Sequence, residues 1–198
     1  TPPVDENAPI PVAQSPYGNT KQICEEILMD QTKATDLTVV ALRYFNPVGA
    51  HESGKIGEIP FAEPENLVPN ITQTAIGKKG QFVINGSDYP TRDGSCIRDY
   101  VHVMDIAEAH TLALEFQMEG KQQNKFEVFN LGSGNGVSVL ELIHSFESVS
   151  GTSLNYVLGT RREGDVIAIY ADNKKAAVQL NWFAKRNLDQ MMQSAWAW

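Results

Sequence analysis

Apolar positions recur with two different periods along the 198-residue chain, and the alternation between those periods predicts its fold class. Ile23, Cys24, Ile27 and Leu28 recur at helical spacing behind Ser15-Pro16. A serine caps a helix start, and a proline fits the first helical position without losing a hydrogen bond. Residues 37–45 (LTVVALRYF) are a nearly continuous apolar, β-branched run, the signature of a strand buried on both faces. Asn46-Pro47-Val48-Gly49 stops it. Further along, residues 66–77 read as a helix with an early proline, 81–85 as a short strand and 98–103 as another. Residues 104–118 read as an amphipathic helix capped by Asp105 or its neighbour, and 126–131 as a buried strand. A helix over 139–149, a strand over 154–158 and closing helices over 173–180 and 188–198 complete the series.

The intervening stretches carry turn residues instead of a period. Residues 1–14 hold four prolines and read as a surface loop, and 51–65 read as a long polar loop. Turns are expected at 86–90 and 91–94, and a charged loop at 160–165. The glycine set 132–136 lies between a strand and a helix; it resembles a phosphate cradle but fits simple punctuation better. Helices alternating with buried strands predict an α/β fold, and the loop-rich insertions at strand ends predict a second, smaller lobe.

Composition narrows the function classes. Hydrophobic residues make up 42% and charged residues 20%, ordinary for a globular protein. A net charge of −8 argues against nucleic acid as a partner, because a phosphate backbone needs a basic face. Any anion site must therefore be local. Cys24 and Cys96 have no metal or redox spacing, and Cys24, on the helical stripe, reads as a small core residue. No apolar run approaches the roughly 20 residues that span a bilayer, so no membrane association and a reduced, cytoplasmic setting are expected. The four histidines lack metal-ligand company, and no metal is assigned; His102 and His110 read as structural.

Two places carry candidate chemistry. Tyr17 and Lys21 lie four apart and so share one face of the first helical turns, where an ammonium beside a phenol favours the phenolate and makes a usable general base. The same spacing also fits a surface tyrosine with a solvated lysine. The other place is the end of the buried strand, Tyr44 to Val48, since ligands of open α/β sheets bind outside the carboxyl ends of strands.

SPYGNTK, ALRYFNPVGAHESG, NLVPNI, RDGSCIRDYVHVMDIAEAH, FNLGSGNGVSVLELI and RREGD follow one another in this chain. In that order and at those separations, they resemble the UDP-glucose 4-epimerases, extended short-chain dehydrogenases/reductases that use NAD. The resemblance runs from about residue 14 to the end. It implies the carboxyl-terminal part of a Rossmann-like, parallel-sheet NAD-binding domain plus a smaller mixed α/β substrate-binding lobe. Residues 1–48 and 101–136 would belong to the former, and 49–100 and 137–198 to the latter with the closing helices. The reaction implied is interconversion of UDP-glucose and UDP-galactose by transient oxidation at C4, in galactose metabolism. Tyr17 would be the base and Lys21 would hold the nicotinamide ribose, with Tyr44 and Pro47 at the nicotinamide end. Arg98 and Arg162 would fork the diphosphate and Asp165 would accept from the uridine ribose. Asn46 and Asn66 would contact sugar and phosphate, and Leu67, Val83, Asn85 and Ile169 would line the substrate.

The chain departs from the family pattern in three ways. The nucleotide-binding glycine loop and the Ser/Thr that assists the base are not in it, so the resemblance implies a chain lacking roughly the first 130 residues of such an enzyme, inactive by itself. Asn85 stands where some members carry an aromatic residue near uracil. Ile169 stands at a position that tunes access of N-acetylated sugars, and its intermediate size leaves UDP-N-acetylglucosamine open as a substrate. A homodimer is implied for the intact protein. The alternatives are another nucleotide-sugar enzyme of this superfamily, such as a dehydratase or decarboxylase, and a catalytically silent binding relative.

Overall fold

A computed structural model describes every residue except Thr1, Pro11 and Gln14. The chain runs α1 (Pro16–Ala34), β1 (Val39–Tyr44), β2 (Asn46–Val48), α2 (Leu67–Ala75), β3 (Phe82–Asn85), β4 (Ile97–Arg98) and β5 (Tyr100–His102). It continues through α3 (Val103–Met118), β6 (Phe126–Leu131), β7 (Val137–Ser138), α4 (Val139–Ser150), β8 (Tyr156–Gly159), α5 (Lys174–Gln179) and α6 (Leu188–Ala197).

The α/β reading holds, and three of the four strand pairs are parallel. β1 pairs with β6 in register from Val39 opposite Phe126 to Tyr44 opposite Leu131. β2 pairs with β5, and β3 with β8. The antiparallel pair is β4 with β7, which the sequence pattern does not reveal because each strand is two residues long. Two apolar clusters flank these pairs. In one, α3 and α5 pack on β6 through Ile106, Ala109, Phe116, Phe129, Ala176 and Trp182. In the other, α2, α4 and α6 pack on β3 through Ile71, Ile84, Leu142, Ile143, Phe146 and Met192. Alternate side chains of a strand point to opposite faces, so β5 serves both: Tyr100 enters the second cluster and Val101 the first.

Several local expectations give way. The run 37–45 is not one strand buried on both faces: β1 is only half-buried, Phe45 interrupts it, and the chain changes partner from β6 to β5. Cys24 is exposed, not core, because the stripe it shares with Ile23 and Ile27 faces outward and α1 fully buries only Thr32. Asp105 does not cap α3. His102 is the N-cap and its side chain accepts from the Met104 N–H, while Asp105 lies three residues further in, buried against Arg186 and the backbone N–H groups of Lys185 and Arg186. The stretch 98–103 divides between β4 and β5 at Asp99, and β8 starts two residues later than expected. The early chain is tied down: Val4 bridges Ala171, and Asn130 donates to the Val4 carbonyl and to Glu6.

Candidate functional site

Ser15 accepts from the Gly18 N–H at 3.1 Å and starts α1 as its sequence predicts, with Pro16 in the first turn. That start places Tyr17 and Lys21 together: the Lys21 Nζ lies 4.8 Å from the centre of the Tyr17 ring. Tyr17 is 72% exposed. β1 then delivers Tyr44, also exposed and with its ring 6.3 Å from that of His110. Asn46 and Pro47 open β2; Asn46 is half-buried, its N–H donates to the Asp99 carbonyl at 3.0 Å, and Pro47 is exposed. The carboxyl ends of β1 and β6 thus meet the start of β5, the geometry in which open α/β sheets bind ligands.

The second group of predicted residues gathers around β4. The segment after the charged loop runs beside this strand: Ile97 donates to the Ile167 carbonyl at 2.9 Å, and Ile169 donates back to Ile97 at 3.1 Å. This pairing brings Arg98, Asp165 and Ile169 to one place from positions far apart in sequence. Asp165 Oδ1 accepts from Arg162 Nη2 at 2.8 Å and lies 3.6 Å from Arg98 Nη2. The hydrogen bond it donates to Asp165 holds the Arg162 guanidinium above its ordinary range. Arg98 Nη1 is fixed by the carbonyls of Ile97 and Val166. Val83 and Asn85 alternate onto the exposed face of β3, and Asn85 pairs in register with Gly159, at the root of the charged loop. Asn66 precedes α2 as its N-cap without a capping bond and donates instead to Glu58 at 2.8 Å; Leu67 is half-buried against the second cluster.

Two sets therefore exist, one around Tyr17 and one around Arg98, joined by the Asn46–Asp99 bond between their strands. Sequence reasoning missed what supports them. Asp99 is fully buried without a cation and accepts from the N–H and hydroxyl of Ser133 (2.7 and 2.6 Å), the N–H of Gly134 (3.1 Å) and that of Ala171 (3.0 Å). The glycine turn 132–136 is thus an anion cradle already filled by the chain's own carboxylate. Its first glycine is required, because a Cβ at Gly132 would lie 2.2 Å from Asp99 Oδ2. Tyr89 was also missed. It is buried under the Arg161 guanidinium, 4.4 Å from its ring, its hydroxyl has no hydrogen-bond partner among the described residues, and burial pushes its phenol up. Burial likewise pushes up the Tyr100 phenol on β5. The signal for Asp99 and Tyr100 is the polar RDY run inside an apolar stretch; Tyr89 lies in a turn and has no such signal.

No helix among the described residues is long and apolar enough to cross a membrane. The chain is 47% identical to a UDP-glucose 4-epimerase of Drosophila melanogaster over 99% of its own length and 56% of that protein's. Its fold matches a UDP-glucose 4-epimerase of Stenotrophomonas maltophila, solved with bound NAD and formylated UDP-arabinopyranose (TM-score 0.94, 43% identity, all of this chain and 58% of that one). It also matches that of Bifidobacterium longum in complex with NAD+ and UDP (TM-score 0.93, 40% identity, the same coverage). The chain thus spans little more than half the length of these relatives. The model of the family described as GDP-mannose 4,6 dehydratase matches residues 1–195, and the chain belongs to that family.

Proposed function

We propose that this chain carries the proton-transfer pair and the nucleotide grip of a UDP-hexose 4-epimerase, which interconverts UDP-glucose and UDP-galactose with NAD. The observation that supports it most is the convergence of Arg98 and Arg162 on one oxygen of Asp165. Two guanidiniums spaced by a single anionic oxygen suit a diphosphate, for which planar forks give paired hydrogen bonds.

The residues fit NAD as well. An exposed phenol and an ammonium in adjoining helical turns offer hydrogen bonds to a ribose, and Tyr44 and Pro47 present an open surface for the nicotinamide. When bound, NAD takes up and gives back the C4 hydrogen with its electron pair. Tyr17 removes the proton of the 4-hydroxyl and returns it later, with the Lys21 ammonium held beside its ring. The hexose has to present either face in turn, so affinity comes from the nucleotide end. There Arg98 and Arg162 take the diphosphate, and Asp165 turns to the ribose hydroxyls. Leu67, Val83 and Asn85 line the nucleotide. Asn46 and Asn66 contact sugar and phosphate, and Ile169 bounds the hexose.

The exposed stripe of Ile23, Cys24 and Ile27 on α1 supports a homodimer of the intact protein, and the two free thiols suit a reduced cytoplasmic setting. The nucleotide grip is tested by titrating UDP into the purified chain. Arg98→Ala should weaken binding about 30-fold, the scale of losing charge-assisted hydrogen bonds, and unchanged affinity would sink the assignment. The reaction is tested with UDP-galactose and NAD, using the polypeptide that carries this chain. UDP-glucose as the sole product supports epimerisation, whereas an accumulating 4-keto sugar or pentose would mean a dehydratase or decarboxylase.

A further inference from the structure

His102 is 3% exposed and lies where three elements meet: β5, which it ends, α3, which it caps, and α6. Its Nδ1 accepts from the Met104 N–H at 3.0 Å, so that nitrogen carries no hydrogen. Its Nε2 lies 3.0 Å from the Ser194 hydroxyl on α6. Ser194 donates its only hydrogen to the Met191 carbonyl (3.0 Å) and accepts from the Ala50 N–H (3.1 Å). It therefore has only acceptor capacity left for the imidazole, and Nε2 must donate. Both sides of the ring point to one neutral tautomer with its proton on Nε2.

The far end of this relay is the loop that leaves β2. Val48 is the register partner of His102, and Gly49 follows with φ +86°. A Cβ at Gly49 would lie 2.8 Å from Ser194 Oγ and 2.9 Å from His102 Nε2. The glycine of the NPVGA run is thus needed because this relay presses against it. We propose that neutral His102, acting through Ser194, is a positioning residue that fixes the 46–50 backbone and with it Asn46 and Pro47; its bearing on turnover rests on the roles proposed for those two residues.

The groups facing the ring are Arg186 and Asp105, and Glu52 and Gln190 help line the cavity of about 300 Å³ beside it. Burial and Arg186 push the imidazole below its ordinary value and Asp105 opposes them, in keeping with a neutral ring.

The proposal is tested on the 198-residue chain by nitrogen-15 NMR of the imidazoles and by amide exchange. His102 should show a proton on Nε2 and a bare Nδ1 at pH 7. Ser194→Ala should speed exchange of the Ala50 amide at least tenfold while Leu42 and Phe129 stay protected. His102→Asn, which keeps an acceptor for Met104 but cannot reach Ser194, should do the same, and His102→Gln, which keeps a donor near Nε2, should restore slow exchange. A ring charged or protonated on Nδ1 at pH 7, or Ala50 exchange unmoved by Ser194→Ala, overturns the proposal. In the polypeptide that carries this chain, Ser194→Ala should lower kcat at least threefold and UDP affinity by a smaller factor. Equal loss in both overturns the positioning role. Absence of epimerase activity in the unaltered protein would refute the proposed reaction, while the NMR and exchange data would still decide the role of His102 in holding the loop.

Discussion

The two ends of the site are built on opposite plans. Around Arg98 the chain satisfies its own charges: Asp165 lies between two arginines, backbone carbonyls fix Arg98, and Asp99 next to it fills the glycine turn. Around Tyr17 almost nothing is satisfied internally; the phenol stands exposed with one ammonium over its ring. The physical reason lies in what each group costs when no ligand is bound. A half-buried guanidinium without a counter-charge is expensive, so an internal carboxylate stands in until an anion displaces it. A phenol in water costs nothing, so it can wait for its partner. Under the proposed function, tight internal pairing would mark the end that binds and exposure the end that reacts.

The sharpest way to break that contrast is to delete one atom at the reacting end. In the polypeptide that carries this chain, Tyr17→Phe should lower kcat about 10³-fold, within the range of a lost general base, and leave thermal stability unchanged, because the residue is 72% exposed. Turnover within tenfold of the unaltered protein would remove Tyr17 from the chemistry. A large fall in melting temperature would mean the two ends are not built differently after all.

The binding end should answer in the opposite way. Asp99→Ala strips acceptors from three backbone N–H groups and one hydroxyl, and the loss should be about 3 kcal/mol in a urea melt, since each buried group left unpaired costs about 1–3 kcal/mol. Arg98 should lose its placement with it, so UDP should bind more weakly even in the fraction that stays folded. A loss below about 1 kcal/mol would show that water enters the turn and replaces the carboxylate.

This asymmetry also explains what could be read from the sequence. The α1 start was legible because capping is local: Ser15, Pro16 and the four-residue spacing of Tyr17 and Lys21 need no distant partner. β6 was legible for a similar reason, being a short, mostly apolar stretch closed by a glycine stop. The arrangement around Arg98 was not, because it depends on Ile97 pairing with a segment some 70 residues later, a contact with no periodic signature. Asp99 was hidden because a buried polar residue looks like any other polar residue until its partners are known, whereas His102 read as structural and only its partners were out of reach. Cys24 misled for the converse reason: helical spacing shows that an apolar stripe exists, not that anything covers it.

The smallest effect concerns the His102 relay behind the 46–50 backbone, and pH is the probe. Burial and Arg186 hold the folded-state His102 below its ordinary value of about 6.5 despite Asp105. The unfolded chain then binds a proton in a range where the folded chain does not, so stability is complete above about pH 6.5 and falls as pH drops through the window beneath it. One proton limits the slope to about 1.4 kcal/mol per pH unit. The carboxylates act lower. Arg92 holds Glu141 below its usual range, and Lys175 and Asn124 hold Glu127 below it although burial pushes it up, so their contribution is lost only as pH falls below about 4. Melts from pH 7.5 to 3 should therefore show two separate declines, and His102→Gln should erase the upper one and leave the lower intact. A single decline below pH 4.5 in the unaltered chain would mean that the imidazole accepts its proton without disturbing the Met104 cap, and that a neutral His102 is not what holds the 46–50 backbone.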